Sequence, residues 1–341
     1  MMRFVQQVLL LFLGAGVATS CASLASAQEN FYVGKQVRIY AQEQASGYSL
    51  YGQLISQHLG NFLPGKPTVV IGYMPGAAGL TLTNYLYEVA PRDGTVLAVP
   101  DQDLASKQAR GLKGVRYDAT QFTYVGRATV NVPVHMAWHT TGVTKLDELR
   151  HKTLISGAVG MEGTHVDLPK AQNQLLGLNW KIIPGYRGNS EIRIAMERGE
   201  VQAAIAPATL FNEQLKPWLS DGKVKVLVQY AELRHPLFQD VPHIVELAEK
   251  AEHKALFRFL VSLSSFGRSL VAPPGLPKER SDQLRSAFQA MLEDKAFRAD
   301  AERMGADLIP MRGEELAAYM AGVLKTPPEI IAAANKLIDG Q

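Results

Sequence analysis

Val37-Arg38-Ile39-Tyr40-Ala41 opens the alternation that decides the fold class. The run is rich in β-branched and aromatic residues and reads as a strand. Behind it, Leu50, Tyr51, Leu54, Ile55 and Leu59 recur at helical spacing between Gly47 and Phe62. Thr68-Val69-Val70-Ile71 is a continuous apolar run, the pattern of a strand buried on both faces. Pro75-Gly76-Ala77-Ala78-Gly79 turns the chain into a second helix near 82–89, and Arg92-Asp93-Gly94 turns it back into Thr95-Val96-Leu97-Ala98-Val99. The order β-α-β-α-β predicts a parallel sheet with crossover helices.

A comparable alternation follows. Strands are expected over 122–125, 132–138, 153–156, 180–183, 201–206 and 224–228, and helices over 145–151, 166–176 and 190–198. Beyond them, 278–304 and 313–325 read as mostly helical. Two α/β lobes of similar build with a cleft between them is the economical architecture; one long doubly wound sheet is the alternative. The lobe boundaries are expected to leave 28–128 plus about 255–341 in the first lobe and about 129–254 in the second.

The composition is that of a globular chain: 341 residues, 47% hydrophobic, 20% charged, enough for two medium-sized cores. The net charge of +3 is spread without a basic block, which argues against a nucleic-acid partner. A mildly positive surface suits anionic solutes. At the N-terminus, Arg3, the apolar run Val8-Leu9-Leu10-Leu11-Phe12-Leu13 and the site Ala25-Ser26-Ala27 form the pattern of a signal peptide over 1–27. The apolar run is too short to span a bilayer, so a periplasmic, exported chain beginning at Gln28 is expected. Cys21 is the only cysteine and lies inside that segment, which leaves no thiol or disulfide chemistry after cleavage. Ala18-Thr19-Ser20-Cys21 offers a second reading, a lipoprotein box with Cys21 lipidated.

Enzyme motifs fail one by one. Gly47-Tyr48-Ser49-Leu50-Tyr51 begins like a nucleophile elbow, but Tyr51 replaces its closing glycine. Gly157-Ala158-Val159-Gly160-Met161-Glu162-Gly163 has neither dinucleotide nor P-loop spacing. A glycine-rich loop ahead of a helix can still hold an anion on its backbone N–H groups, or can simply connect a strand to a helix. His135 and His139 have ligand spacing only on a helix; in the strand their surroundings favour, they stand about 13 Å apart. No metal site and no cofactor is expected.

Seven blocks in order carry a resemblance: Gly34-Lys35-Gln36-Val37-Arg38-Ile39, Pro75-Gly76-Ala77-Ala78-Gly79, Ala90-Pro91-Arg92-Asp93-Gly94-Thr95, Tyr186-Arg187-Gly188, Gly199-Glu200-Val201, Asp240-Val241-Pro242 and Val271-Ala272-Pro273-Pro274-Gly275-Leu276-Pro277. With them the chain resembles the tripartite tricarboxylate transporter receptor (Bug) family of periplasmic solute-binding proteins, over essentially all of 28–341. The resemblance implies a type II periplasmic-binding-protein fold and no enzyme activity. Its implied partners are a small organic acid in the cleft and the membrane permease subunits of a tripartite transporter. A sensor kinase is the alternative partner, and an exported enzyme the more distant one.

The resemblance also implies a site built from two β-α loops, one per lobe, that grip a carboxylate. The first corresponds to 41–49 and departs from the family pattern. Gln42, Glu43, Gln44 and Ser46 intrude, Gly47 survives, and Ser49 stands where Asp is usual. Tyr48 and Tyr51 supply an aromatic wall or pack on their own helix. The second loop corresponds to 156–165 and brings Gly160, Gly163, Thr164 and His165. Gln202 replaces another usual Asp. Arg187 either anchors a distal acid group or lies in solvent beside a helix cap, and Pro207 at the end of its strand completes the candidate ligand-binding set.

Overall fold

The structure is a computed structural model that describes residues 31–339 apart from 43, 45, 160–162, 187, 213 and 233. The expected signal segment, Cys21, Glu43, Gly160 and Arg187 therefore lie outside the described residues.

Two separate sheets form, which excludes the single long sheet. The first is built on β1 (Gln36–Ala41), β2 (Thr68–Tyr73), β3 (Val96–Val99) and β4 (Thr123–Thr129), with α1 (Gly47–His58), α2 (Leu80–Glu88) and α3 (Leu104–Ala109) in the connections. The second holds β5 (Pro133–Trp138), β6 (Leu154–Val159), β7 (Trp180–Tyr186), β8 (Ala203–Pro207) and β9 (Val224–Gln229), with α4 (Thr164–Leu176), α5 (Asn189–Glu197) and α6 (Lys216–Ser220). The chain then forms α7 (Ala251–Ser265) and returns to the first sheet as β10 (Arg268–Ala272). After α8 (Lys278–Glu293), α9 (Lys295–Arg303) and the short β11 (Met311–Arg312), it ends in α10 (Gly313–Leu324) and α11 (Pro328–Asp339). Strand order is β11-β4-β10-β3-β1-β2 in the first sheet and β7-β6-β8-β5-β9 in the second.

The alternation in β1 does what its pattern predicts. Val37, Ile39 and Ala41 are fully buried, and α1 lays Leu54 and Ile55 over them, also fully buried. Each of the Val, Ile and Leu side chains contributes about 1.5–3 kcal/mol of burial. The reading of 68–71 as a strand buried on both faces is corrected. β2 is the edge of its sheet, pairs only with β1, and keeps Val69, Val70 and Ile71 half-buried. A continuous apolar run reports hydrophobicity, and an edge position leaves one flank uncovered whatever the run contains.

The C-terminal part is not wholly helical. β10 inserts antiparallel between β3 and β4 and buries Leu270, Val271 and Ala272 completely. Its turn depends on Gly267, at φ +60°, where a Cβ would stand 1.9 Å from the Thr129 carbonyl oxygen. α7, with Phe257, Phe259 and Leu260 buried, belongs to one apolar core that runs from Leu82 and Ala98 in the first lobe to Ala137 and Leu154 in the second. α11 packs on α7 and also touches α4.

Strand directions place the functional end of each sheet. β1, β3 and β4 run the same way, and β4 reaches β5 through only Val130, Asn131 and Val132. β5 is antiparallel to β8, and β8 is parallel to β6, so the C-terminal end of β6 lies at the crossing too. The C-terminal end of β9 returns there as well, where Tyr230 N donates to the Pro133 carbonyl (2.8 Å). Three residues between strands span at most about 14 Å, so the two sheet ends face each other at close range.

Candidate functional site

Both loops expected to bind ligand emerge at this boundary. The first follows β1. Gln42 donates its side-chain amide to Asp101 Oδ1 (3.4 Å), and Gln44 is exposed. Ser46 and Ser49 form a capping box on α1: Ser49 N donates to Ser46 Oγ (3.3 Å) and Ser46 N to Ser49 Oγ (3.0 Å). Ser49 is buried, and its hydroxyl proton goes to the Ser46 carbonyl (2.9 Å). The two tyrosines divide. Tyr51 is buried in the core of the first lobe and donates to the Asp307 carbonyl (2.7 Å), so its role is packing. Tyr48 stays half-buried at the sheet end, with its hydroxyl donating to Asp101 Oδ1 (3.1 Å) and accepting from Gln102 N (3.2 Å).

Sequence reasoning missed a polar group that these loop residues contact. Asp101, Gln102 and Asp103 follow β3, Lys107 lies on α3, and Arg268 is the first residue of β10. Lys107 Nζ is bonded to Asp101 Oδ2, and burial lowers the Lys107 pKa to about 8. Asp103 is half-buried, and among the described residues its Oδ1 is buried without a hydrogen-bond partner; burial raises its pKa to about 6 against the pull of Arg268 and Arg110. The Arg268 guanidinium stacks 4.0 Å from the centre of the Tyr48 ring, and its Nη1 donates to Gln102 Oε1 (2.8 Å). Register pairs Arg268 with Thr129, the residue at which the chain leaves the first sheet. No local motif marks these residues, since they come together only through the pairing of β3, β10 and β4.

On the second lobe, β6 continues through Val159, which shortens the loop read from 156 onward. Gly163 sits at φ +91° ahead of α4, and its carbonyl accepts from Val166 N and Asp167 N (both 2.8 Å). Thr164 is exposed at the first turn. His165 turns back, so that Val159 N donates to its Nδ1 (3.4 Å), and burial lowers its pKa to about 4. The ring is therefore neutral at pH 7, with its proton on Nε2. Pro207 closes β8 opposite Pro133 in the crossing, and Ala208 N donates to the Val132 carbonyl (2.8 Å).

Two further sequence features resolve into structure. Gln202 lies just before β8, at the end of the sheet away from the loop, where its side-chain oxygen accepts from Ile155 N (3.0 Å). Its departure from the family Asp therefore lies far from the site. His135 is fully buried in β5, with ring nitrogens 2.9 Å from the Tyr230 hydroxyl and 3.0 Å from Ser156 Oγ, and stacks on Trp180 at 3.8 Å. His139 lies beyond β5, in the turn His139–Thr141. Among the described residues no group of three or more His, Cys, Asp and Glu converges on a metal position, and no helix is long and apolar enough to cross a membrane.

Two α/β lobes joined by crossing strands, with β-α loops from both sheets at the crossing, form the two-lobe periplasmic-binding-protein fold. The sequence profile of the tripartite tricarboxylate transporter family receptor matches residues 59–336, and the chain belongs to that family. It is 24% identical over 339 residues to the UPF0065 protein in gbd 5'region of Cupriavidus necator, covering 93% of this chain and 94% of that one. A TctC solute-binding protein from Polaromonas, solved without ligand, superposes with a TM-score of 0.70 at 19% identity, over 91% of this chain and 100% of that one. The R. palustris protein Rpa4515, solved with adipate, does so at 0.59 and 17%, over 89% and 98%. The fold and family expected from the sequence are those found.

Proposed function

We propose that this receptor captures a small organic carboxylate between its two lobes, outside the cytoplasm, and delivers it to the permease subunits of a tripartite transporter without transforming it. In this reading, 1–27 directs export, and the lobes divide near 129 and 254. The observation that carries the reading is the topology at the crossing. The loop after β1 and the loop ahead of α4 project from the facing ends of two different sheets, so a ligand between them touches both lobes. Ligands of open α/β sheets bind outside the carboxyl ends of the strands for this reason. The neutral Nε2–H of His165 is a donor, which suits an anion. The adipate in Rpa4515 supports an aliphatic diacid as the ligand class.

A thermal-shift screen of the chain from Gln28 tests the reading with acetate, succinate, malate, adipate and citrate, each beside its neutral amide. A ligand held only by the native state at a hundred times its Kd adds about 2.7 kcal/mol of stability. At least one acid is expected to raise the melting temperature while its amide does not. A chain that responds to no acid, or equally to amides, is not a carboxylate receptor.

A further inference from the structure

A cavity of about 250 Å³ lies beside the segments that join the lobes, with walls that include Arg127 on β4, Val132 between the sheets, Glu232, Arg234 and His235 on the return path, and Tyr319 on α10. None of the loop residues expected to hold the acid lines it. Two of its titratable groups are matched: Arg234 pairs with Glu246 (2.6 Å), and His235 lies 3.2 Å from Asp307. Arg127 and Glu232 are not, since among the described residues neither makes an ion pair, with the other or with any third group. Arg127 is only 4% exposed. Its Nη1 donates to the Ser265 carbonyl at the end of α7 (2.6 Å) and its Nε to the Ile309 carbonyl (3.3 Å), which leaves Nη2 without an acceptor among the described residues. Glu232 Oε1 accepts from the Tyr319 hydroxyl (2.9 Å), and its Oε2 meets no donor among them. Two carbonyls and a helix C-terminus fix the guanidinium and soften its charge without neutralising it. Burial lowers the Arg127 pKa only to about 10, so the charge is present at pH 7.

We infer that this cavity is a second ligand site, separate from the cleft between the loops, and that it takes a small α-amino acid or similar zwitterion, with the carboxylate on Arg127 and the ammonium on Glu232. The charge balance selects the class. A simple anion would answer Arg127 and be repelled by Glu232, and a simple cation would meet the reverse; a ligand that carries both charges leaves neither wall uncompensated. Size agrees: a water molecule takes about 30 Å³ of liquid, so the space is that of roughly eight waters, enough for a small amino acid. Both anchors are oriented before the ligand arrives, the guanidinium by the Ser265 and Ile309 carbonyls and the carboxylate by the Tyr319 hydroxyl. Val132 and Ile309 make part of the wall apolar, which favours a short aliphatic side chain over a polar one.

The inference stands independently of the carboxylate-receptor reading. Thermal shift on the chain from Gln28 tests it with glycine, alanine, serine and proline, beside acetate and methylammonium as the two halves of the ligand. At least one amino acid is expected to raise the melting temperature where neither half does at the same concentration. Calorimetry then measures that amino acid on the wild type, Arg127→Gln and Glu232→Gln, with circular dichroism confirming the fold of each; both variants should weaken it tenfold or more. If no amino acid shifts the wild type, the site is refuted. If both variants bind the amino acid as the wild type does, it sits elsewhere, the cleft included, and the assignment falls. If acetate stabilises as well as the amino acid and Glu232→Gln tightens it, the cavity holds a simple anion and the zwitterion is wrong. Should Arg127→Gln not fold, undiminished binding by Glu232→Gln overturns the proposal.

Discussion

Asn212, just beyond β8 of the second sheet, donates its side-chain amide to the carboxylate of Asp307, on the segment that leads into β11 of the first. The other oxygen of Asp307 lies 3.2 Å from Nε2 of His235, on the return path between the lobes. One carboxylate thus ties the second lobe, the first lobe and a crossing segment together. A cavity of about 250 Å³ lies beside it, lined by Arg127, Val130, Val132, His235, Ile309 and Tyr319.

Asp307→Ala removes the acceptor of both neighbours and leaves two partly buried donors unmet. A loss of about 1–3 kcal/mol in urea denaturation is expected. Ligand-free scattering should also give a larger radius of gyration than the wild type, because the tie across the lobes is gone. An unchanged midpoint together with an unchanged profile would remove Asp307 from the hinge.

The serines of the first loop separate stability from binding. Ser46 is the N-cap of α1, and Ser49 closes the box from the third helical position. Ser46→Ala should cost about 1 kcal/mol of stability, as N-cap losses do. Ser49→Ala should cost a similar amount and leave acid affinity within about twofold, since its hydroxyl is buried in the cap. A tenfold affinity loss for Ser49→Ala with unchanged stability would reverse the assignment.

Asp103 gives the fold a pH signature. Its carboxyl ordinarily titrates near 3.8 and is raised by burial to about 6 in the folded chain. The native state therefore holds the proton that the unfolded chain has lost, and the contribution of this group falls as pH rises from about 4 to 6. Asp103→Asn should abolish that decline and stabilise the protein at pH 7 by roughly 1–3 kcal/mol. Denaturation midpoints at pH 4.5 and 7 measure the difference; a destabilised Asp103→Asn at pH 7 would mean that the charge is needed.

His165 works in the opposite sense. Its ordinary value of 6.5 falls to about 4 on folding because burial disfavours the imidazolium. As pH drops from 6.5 toward 4 the unfolded chain takes up a proton that the native state refuses, so stability declines over that window. His165→Gln should flatten this part of the profile by about 2–3 kcal/mol. Acid affinity in the wild type should stay level between pH 6.5 and 8, because the donor there is neutral. An affinity that climbs as pH falls through 6.5 would show that His165 binds as a cation.

Local sequence carried the elements whose periodicity is self-contained. The alternation Val37-Ile39-Ala41, the stripe Leu50, Leu54 and Ile55 in α1 with Leu59 just past its end, and the turn glycines were legible because side-chain period and backbone conformation are set within a few residues. The seven ordered blocks carried the family, and with it the two loops. Tertiary pairing decided the rest. Whether Thr68–Tyr73 is central or edge depends on which strand lies beside it, and nothing in Val69-Val70-Ile71 states that there is only one. Ser49 stands at the usual position of an acid and reads as a ligand donor, until the geometry of α1 turns it onto Ser46. Arg268 carries no motif; it meets Tyr48 and Gly47 because β10 inserts between β3 and β4, a contact whose sequence separation lies beyond any local pattern.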